Sequence, residues 1–255
     1  MPSIQIADRA LSAREVQELL ATDHPMIAQL RFEQTSGDGD DLGFALHIIP
    51  RGGVRYLQQR DSRGQRVRPA WRTLSGSEVV GQGNRSLWLE GDELVAENST
   101  FFPQQEFNDL GIGSALYVAQ ERLYRALGVR RVTLLAVDVG VYVWARQGFA
   151  FLRPETLADM IPRLERFLFG HQAPLGFDAE ALQQSWDLAN LAIPDVAIDG
   201  YRAGKAFMLS AAGPWHGVKL LDDARHNAVA EASRKETFAR LPDKIEGAGS
   251  DLAVR

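Results

Sequence analysis

Residues 107–123 read FNDLGIGSALYVAQERL. Gly111 and Gly113 flank a single isoleucine. The run that follows has the apolar spacing of an amphipathic helix over 111–127, with Ile112, Ala115, Leu116, Ala119, Leu123 and Ala126 on its apolar side. Gly128 stands where a left-handed residue would stop that helix. The stretch before it, ELVAENSTFF at 93–102, reads as a strand. A helix N-terminus exposes backbone N–H groups at the positive end of its dipole, and glycine removes the side chains that would keep an anion away. Glycines in such a place also serve simply to let a helix pack on a strand.

Working outward, RRVTLLAV at 130–137 is apolar without alternation, as a buried strand is. VYVWARQG at 141–148 fits a short helix, and FAFLRP at 149–154 a further strand. Upstream, LSAREVQELLATDHPMIAQL at 11–30 predicts a helix with Ser12 near its cap, broken around His24-Pro25. TSGDGDD at 35–41 is a turn cluster without the spacing of a calcium loop. LGFALHIIP, GVRYLQQRD, SLWLE and ELVAENSTFF follow as strands, with a hairpin turn at Gly91-Asp92. The first hundred residues therefore give a helix and then about four antiparallel strands. Beyond Pro154, ETLADMIPRLERFLFG and DAEALQQSWDLANL read as helices. GKAFMLSA at 204–211 reads as a last strand, and LLDDARHNAVAEASRKETFARL at 220–241 as a polar helix. The expected organisation is a core over 1–154, a mainly helical extension over 155–245 packed on it, and a flexible tail over 246–255.

The composition narrows the chemistry. The chain has 255 residues, an ordinary apolar fraction and a formal net charge of -5, which speaks against generic nucleic-acid binding. It has no cysteine, which removes disulfides, thiolate metal ligands and a cysteine nucleophile. No apolar run has the length of a membrane span, and there is no signal-peptide core, so a cytoplasmic protein is expected, with signal-independent delivery as the other route. Seven arginines lie between Arg51 and Arg72 against one acid, Asp61. Such a stretch is either a solvated hairpin edge or a site for phosphate or carboxylate oxygens. Lysine occurs only at Lys205, Lys219, Lys235 and Lys244. The dinucleotide fingerprint fails because Leu116 stands where its third glycine belongs, and no Walker loop, H-E-x-x-H or G-x-S-x-G is present. No metal site is expected.

From Asn108 to Phe151 the order of elements resembles the acyl-CoA-binding core of the GNAT superfamily of N-acetyltransferases. That family has Gln/Arg-x-x-Gly-x-Gly/Ala between its fourth strand and the following helix; here the match is Asn108-Asp109-Leu110-Gly111-Ile112-Gly113. A buried strand and a short helix ending in Gly-Phe complete the family pattern, here VTLLAV and Gly148-Phe149. GVYVWARQGF also resembles a GNAT-like branch found with phage and toxin-type modules, in which Gly204-Lys205 and Trp215-His216-Gly217 would recur.

The resemblance implies an α+β fold with a mixed, mostly antiparallel twisted sheet flanked by helices, and a helical C-terminal extension. It implies acetyl-CoA as cosubstrate. Its pyrophosphate would lie on the backbone of Asn108, Leu110, Gly111, Ile112, Gly113 and Ser114, and its pantetheine arm near Phe101 and Phe102. Amine attack needs a proton acceptor, for which Glu97 is preferred over Glu106. Many members carry a tyrosine four residues before the Gly-Phe glycine as acid for the leaving thiolate; here Trp144 stands there, and Tyr142 two residues earlier is the substitute. The activity implied is acetyl transfer to an amine acceptor, anionic if the arginine-rich hairpin holds it. The alternatives are a GNAT-fold binding module without catalysis, or a delivered effector acetyltransferase.

Overall fold

The computed structural model describes residues 3–6, 8–22, 24, 27–38, 41–50, 53–60, 66–74, 79, 81–103 and 111–241, with 28, 29, 36–38, 41, 50, 53–60, 66–74, 102 and 103 as backbone only. In chain order the elements are β1 (Ile4–Ile6), β2 (Arg9–Leu11), α1 (Ala13–Leu19), β3 (Ile27–Asp38), β4 (Asp41–Pro50), β5 (Gly53–Arg60), β6 (Arg66–Leu74), β7 (Gly81–Glu90), β8 (Glu93–Pro103), α2 (Ile112–Leu127), β9 (Arg131–Ala136), α3 (Gly140–Arg146), β10 (Ala150–Phe151), α4 (Glu155–Gly170), α5 (Ser185–Asn190), β11 (Ala197–Ile198), β12 (Tyr201–Arg202), α6 (Ala203–Ser210), β13 (Trp215–Leu220) and α7 (Ala224–Ala239). The fold is α+β, and its strand pairing is mostly antiparallel. Among the described residues no helix is long and apolar enough to cross a membrane.

Two compact units divide the chain, one of residues 1–130 and 234–255, the other of 131–233. In the first, the strands run in the order β3, β4, β7, β8. Phe32 and Phe44, buried on β3 and β4, set their rings 5.6 Å apart, and Leu30, Leu46, Ile48 and Leu87 extend that core. Gly91 turns the β7–β8 hairpin at φ 62°, as its Gly-Asp pair requires. β5 and β6 form a separate two-stranded ribbon from the arginine-rich stretch.

Several sequence expectations change here. Ser12 does cap a helix, through a capping box with Glu15, but α1 ends at Leu19, and Ile27 to Leu30 are already strand. Short apolar runs do not distinguish helix from strand by periodicity alone. α2 is buried nearly all round: Tyr117, Gln120, Glu121 and Tyr124 join the apolar side, and Ala126 is exposed while Leu127 is buried. Gly128 stops the helix at φ 74°, as the sequence predicts.

In the second unit β13 lies between β9 and β10 and pairs with both. The expected last strand at 204–211 is instead helix α6; its Ala, Lys, Met and Leu are strong helix formers, and the run has no β-branched residue. WHGVKL supplies the strand. Only Ser185–Asn190 of the second expected extension helix is helical, whereas α4 matches its predicted span. Thus the extension contributes a strand as well as helices. The expected 246–255 tail lies outside the described residues.

Gly148 and His226 pin this unit together. Gly148 takes φ 80°, and a Cβ there would run into the His226 carbonyl, so only glycine serves. His226 donates from Nδ1 to the Gly148 carbonyl at 2.8 Å and lies edge-on to Trp186 at 5.2 Å. Burial pushes its pKa down, against the pull of that hydrogen bond and of Asp223. The folded state therefore binds fewer protons than the unfolded chain in the window below the ordinary imidazole value of about 6.5. Stability is expected to fall as pH drops through about 6.5. A thermal melt series from neutral to mildly acidic pH checks this, and His226→Gln should flatten that part of the profile.

Candidate anion-binding site

The glycine turn sits within the first unit. Gly111 is the N-cap of α2 and takes φ 71°, ψ 6°, in the left-handed region, while α2 itself is right-handed. Adjacent residues of opposite hand turn successive N–H groups toward one side, making a concavity that suits an anion. Among the described residues no side chain caps this helix, and no acid lies in its first turn. α1 shows the opposite arrangement, its first turn closed by Ser12 and Glu15. The two ends therefore differ: the first turn of α1 is closed by its own side chains, and at the positive end of α2 no side chain among the described residues makes a capping hydrogen bond.

The two glycines face different neighbours. A Cβ on Gly111 would meet Thr237 Cγ2 at 3.5 Å, Leu241 Cδ1 at 3.8 Å and His24 Nε2 at 4.0 Å. The end of α7 and His24 thus close that side, and a mostly apolar cavity of about 270 Å³ lies beside it between His24, Ala115, Val118, Phe238 and Leu241. A carboxylate on α2, Glu121, is 5% exposed and takes Arg125 at 2.7 Å and Arg234, which ties the last turns of α7 to this helix. Among the described residues, a Cβ on Gly113 would meet only the Phe101 ring, 3.6 Å away. Phe101, half-buried near the end of β8, therefore lies against the glycine turn.

Not every expected residue joins it. Ile112 is buried; Ser114 is half-buried in the first turn. Phe102 is placed by its backbone alone, and Glu106, Asn108 and Leu110 lie outside the described residues. On β8, Glu97 pairs with Ser86 of β7, whereas its neighbour Asn98 pairs with Arg85. Asn98 accepts a hydrogen bond from Tyr124 of α2 at 2.8 Å, so Glu97 stands on the strand face turned away from that helix. Glu97 is half-buried.

Tyr142 belongs to the second unit, on α3, which is regular there: Val143 donates to the Val139 carbonyl at 3.1 Å and Gln147 to that of Val143 at 3.0 Å. Tyr142 and Trp144 consequently leave the helix in different directions. Trp144 packs edge-on against Phe149 at 5.3 Å. The Tyr142 ring has the Lys205 ammonium 5.4 Å from its centroid, and the Tyr201 ring has it at 3.9 Å. Gly204 and Gly217, singled out in the sequence, serve packing: Gly204 brings α6 against the Leu188 carbonyl, and Gly217 lies under the Trp215 ring.

Residues that the sequence reading passed over also shape the site. Arg85 is 1% exposed, donating from Nη1 to the carbonyls of Asn84 (2.7 Å) and Thr100 (2.6 Å) and from Nη2 to Gln120 Oε1 (3.3 Å). Burial lowers its pKa, while Tyr124 and Tyr117 pull the other way. The same burial pushes Tyr124 up to about 12, so its hydroxyl stays protonated and donates to Asn98. The available signal was GQGNR at 81–85: glycines inside a strand mark a bulge or a close approach. Among the described residues no three His, Asp or Glu side chains converge as a metal ion would need.

Gly111→Ala should cost about 1 kcal/mol, because alanine is strained at that φ. Gly113→Ala meets only ordinary contact and should melt with the parent protein. Thermal unfolding of the two variants side by side checks the contrast. Neither the scan of family models nor the search of curated proteins finds a match to this chain, which leaves its chemistry to be read from these residues.

Proposed function

We propose that the chain is an acyl-CoA-dependent N-acyltransferase of the GNAT type, transferring an acetyl group to an amine. The observation that carries this reading is the glycine-opened N-terminus of α2, with Gly111 left-handed at its N-cap and Phe101 near the end of β8 against Gly113. A pyrophosphate is the kind of group such an end accepts. The backbone of Gly111 to Ser114 would hold it, and Phe101 would stand beside the arm that carries the thioester.

The thioester supplies an already activated acyl carbon. Transfer forms one C–N bond, breaks the C–S bond and moves one proton from the amine to the departing sulfur. Glu97, the carboxylate expected to take the amine proton, stands on the face of β8 opposite Asn98 and Phe101, so the proton is not routed through it and its transfer is left to solvent. Trp144 has no proton to give near neutral pH, and Tyr142 leaves α3 on another face. The rate is then carried chiefly by positioning, which suits an activated acyl donor. Trp144 also favours a second reading, a binding module that keeps the acyl-CoA site and lacks transfer.

The acceptor is assigned an acidic or phosphate-bearing character. In the β5–β6 ribbon the register sets Arg55 opposite Arg72 and Arg60 opposite Arg66. Like charges directly opposite each other are unfavourable unless an anion offsets them.

Calorimetric titration with acetyl-CoA tests the site. Binding in the micromolar range is expected, weakened at least about tenfold by Gly113→Glu, which sets a carboxylate at the helix end. Absence of binding by the parent protein would overturn the proposal. Release of free CoA thiol in the presence of amine acceptors then separates the enzyme from the binding module.

A further inference from the structure

β7 and β8 pair residue for residue from Glu90–Glu93 to Arg85–Asn98, and then the register slips. Asn84 faces Thr100, so β8 carries one residue more than β7 and the ladder skips Ser99. A bulge of this kind changes which way the following side chains point. In an unbroken strand Phe101, three residues beyond Asn98, would stand on the opposite face from it. The extra residue brings Phe101 back to the face of Asn98, directly opposite Gly83. That is the face turned to α2, where the Phe101 ring meets Gly113.

The slip has its own fittings. Interrupting the ladder turns carbonyl groups out of their usual pairing, and a buried carbonyl needs a donor. Arg85 supplies it, with Nη1 between the carbonyls of Asn84 and Thr100, one on each strand. Gly83 leaves the room, since a Cβ there would lie 2.5 Å from the Thr100 oxygen and 3.2 Å from Arg85 Nη1. Gln120 of α2 orients the other end of the guanidinium.

We propose that Arg85 is a positioning residue for the glycine-turn site. Clamping both strands at the bulge, it fixes the face and depth at which Phe101 meets Gly113. Buried as it is, Arg85 touches no ligand, and its influence falls on the arm beside Phe101 and not on the pyrophosphate at the helix end. The ligand side of this inference rests on the acyl-CoA reading; control of the bulge does not.

The test compares the full-length protein with Arg85→Met and Arg85→Lys. Methionine fills much of the volume without donors, and apolar replacement of a buried charge commonly leaves a protein folded. Amide hydrogen exchange over 94–103 and titrations with acetyl-CoA and with ADP, which has a pyrophosphate but no arm, are the readouts. In Arg85→Met exchange at 99–103 should rise about tenfold or more while 94–97 stays as in the parent. Acetyl-CoA should bind about tenfold more weakly with ADP unchanged, and Arg85→Lys, able to reach one carbonyl, should fall between. Unchanged exchange at 99–103 overturns the proposal whatever the ligands do, as does equal weakening of acetyl-CoA and ADP. If Arg85→Met does not fold, Arg85→Lys is held to the same outcomes. Faster exchange at 99–103 in a protein whose parent binds no acetyl-CoA sinks the acyl-CoA reading and leaves the clamp standing.

Discussion

A guanidinium that has left water altogether must find its partners in the protein, and Arg85 finds them in two backbone carbonyls and an amide oxygen. None of these is a carboxylate. Arg85 remains a cation because arginine does not give up its proton in proteins, so neutral dipoles, the carbonyls together with Tyr124, stand in for water. This requirement fixes much around it. Gly83 has to be small, Thr100 has to turn its carbonyl inward, and α2 has to bring Gln120 into reach. The β7–β8 hairpin and α2 are thereby held in one arrangement by a polar group, where apolar packing alone would tolerate a range of them.

The glycine turn depends on that arrangement and adds its own constraint. Gly111 takes its left-handed conformation without the strain a side chain would add, and the reversal of hand between it and α2 aims the first N–H groups of the helix. α1 and α2 are both short enough for their ends to matter. One closes its N-terminus through Ser12 and Glu15, and the other begins on a left-handed glycine that has no side chain to cap it. The difference follows from the residues at the two turns and from nothing else in the helices.

Much of this was legible in the sequence where a local rule decides the outcome. Gly128 ends α2, Gly91-Asp92 turns a hairpin, and Gly148-Phe149 leads into a strand, since each depends on φ or on a short turn. The span of α4 followed from its periodicity. What misled was a short apolar run. In GKAFMLSA the apolar run reads as a strand while its residue types favour the helix that forms, packed on α5 through Gly204; the residues after Leu19 are settled by the pairing of β3 with β4. The glycine turn could be read in advance because Gly111 and Gly113 sit together in the chain at the start of a periodic helix. Arg85, Gly83 and Gln120 could not, because what joins them is a register slip, and no single strand shows its register.

The slip also reverses an ordinary expectation about chain length. Removing one residue from the middle of a paired strand usually throws every later side chain onto the wrong face. In β8 the ladder already has one residue too many, at Ser99. A chain lacking Ser99 would regain an unbroken ladder while rotating Phe101 away from Gly113. For this strand the most regular sheet and the working site are therefore different lengths of sequence, and a history of single-residue insertions and deletions here would trade one against the other.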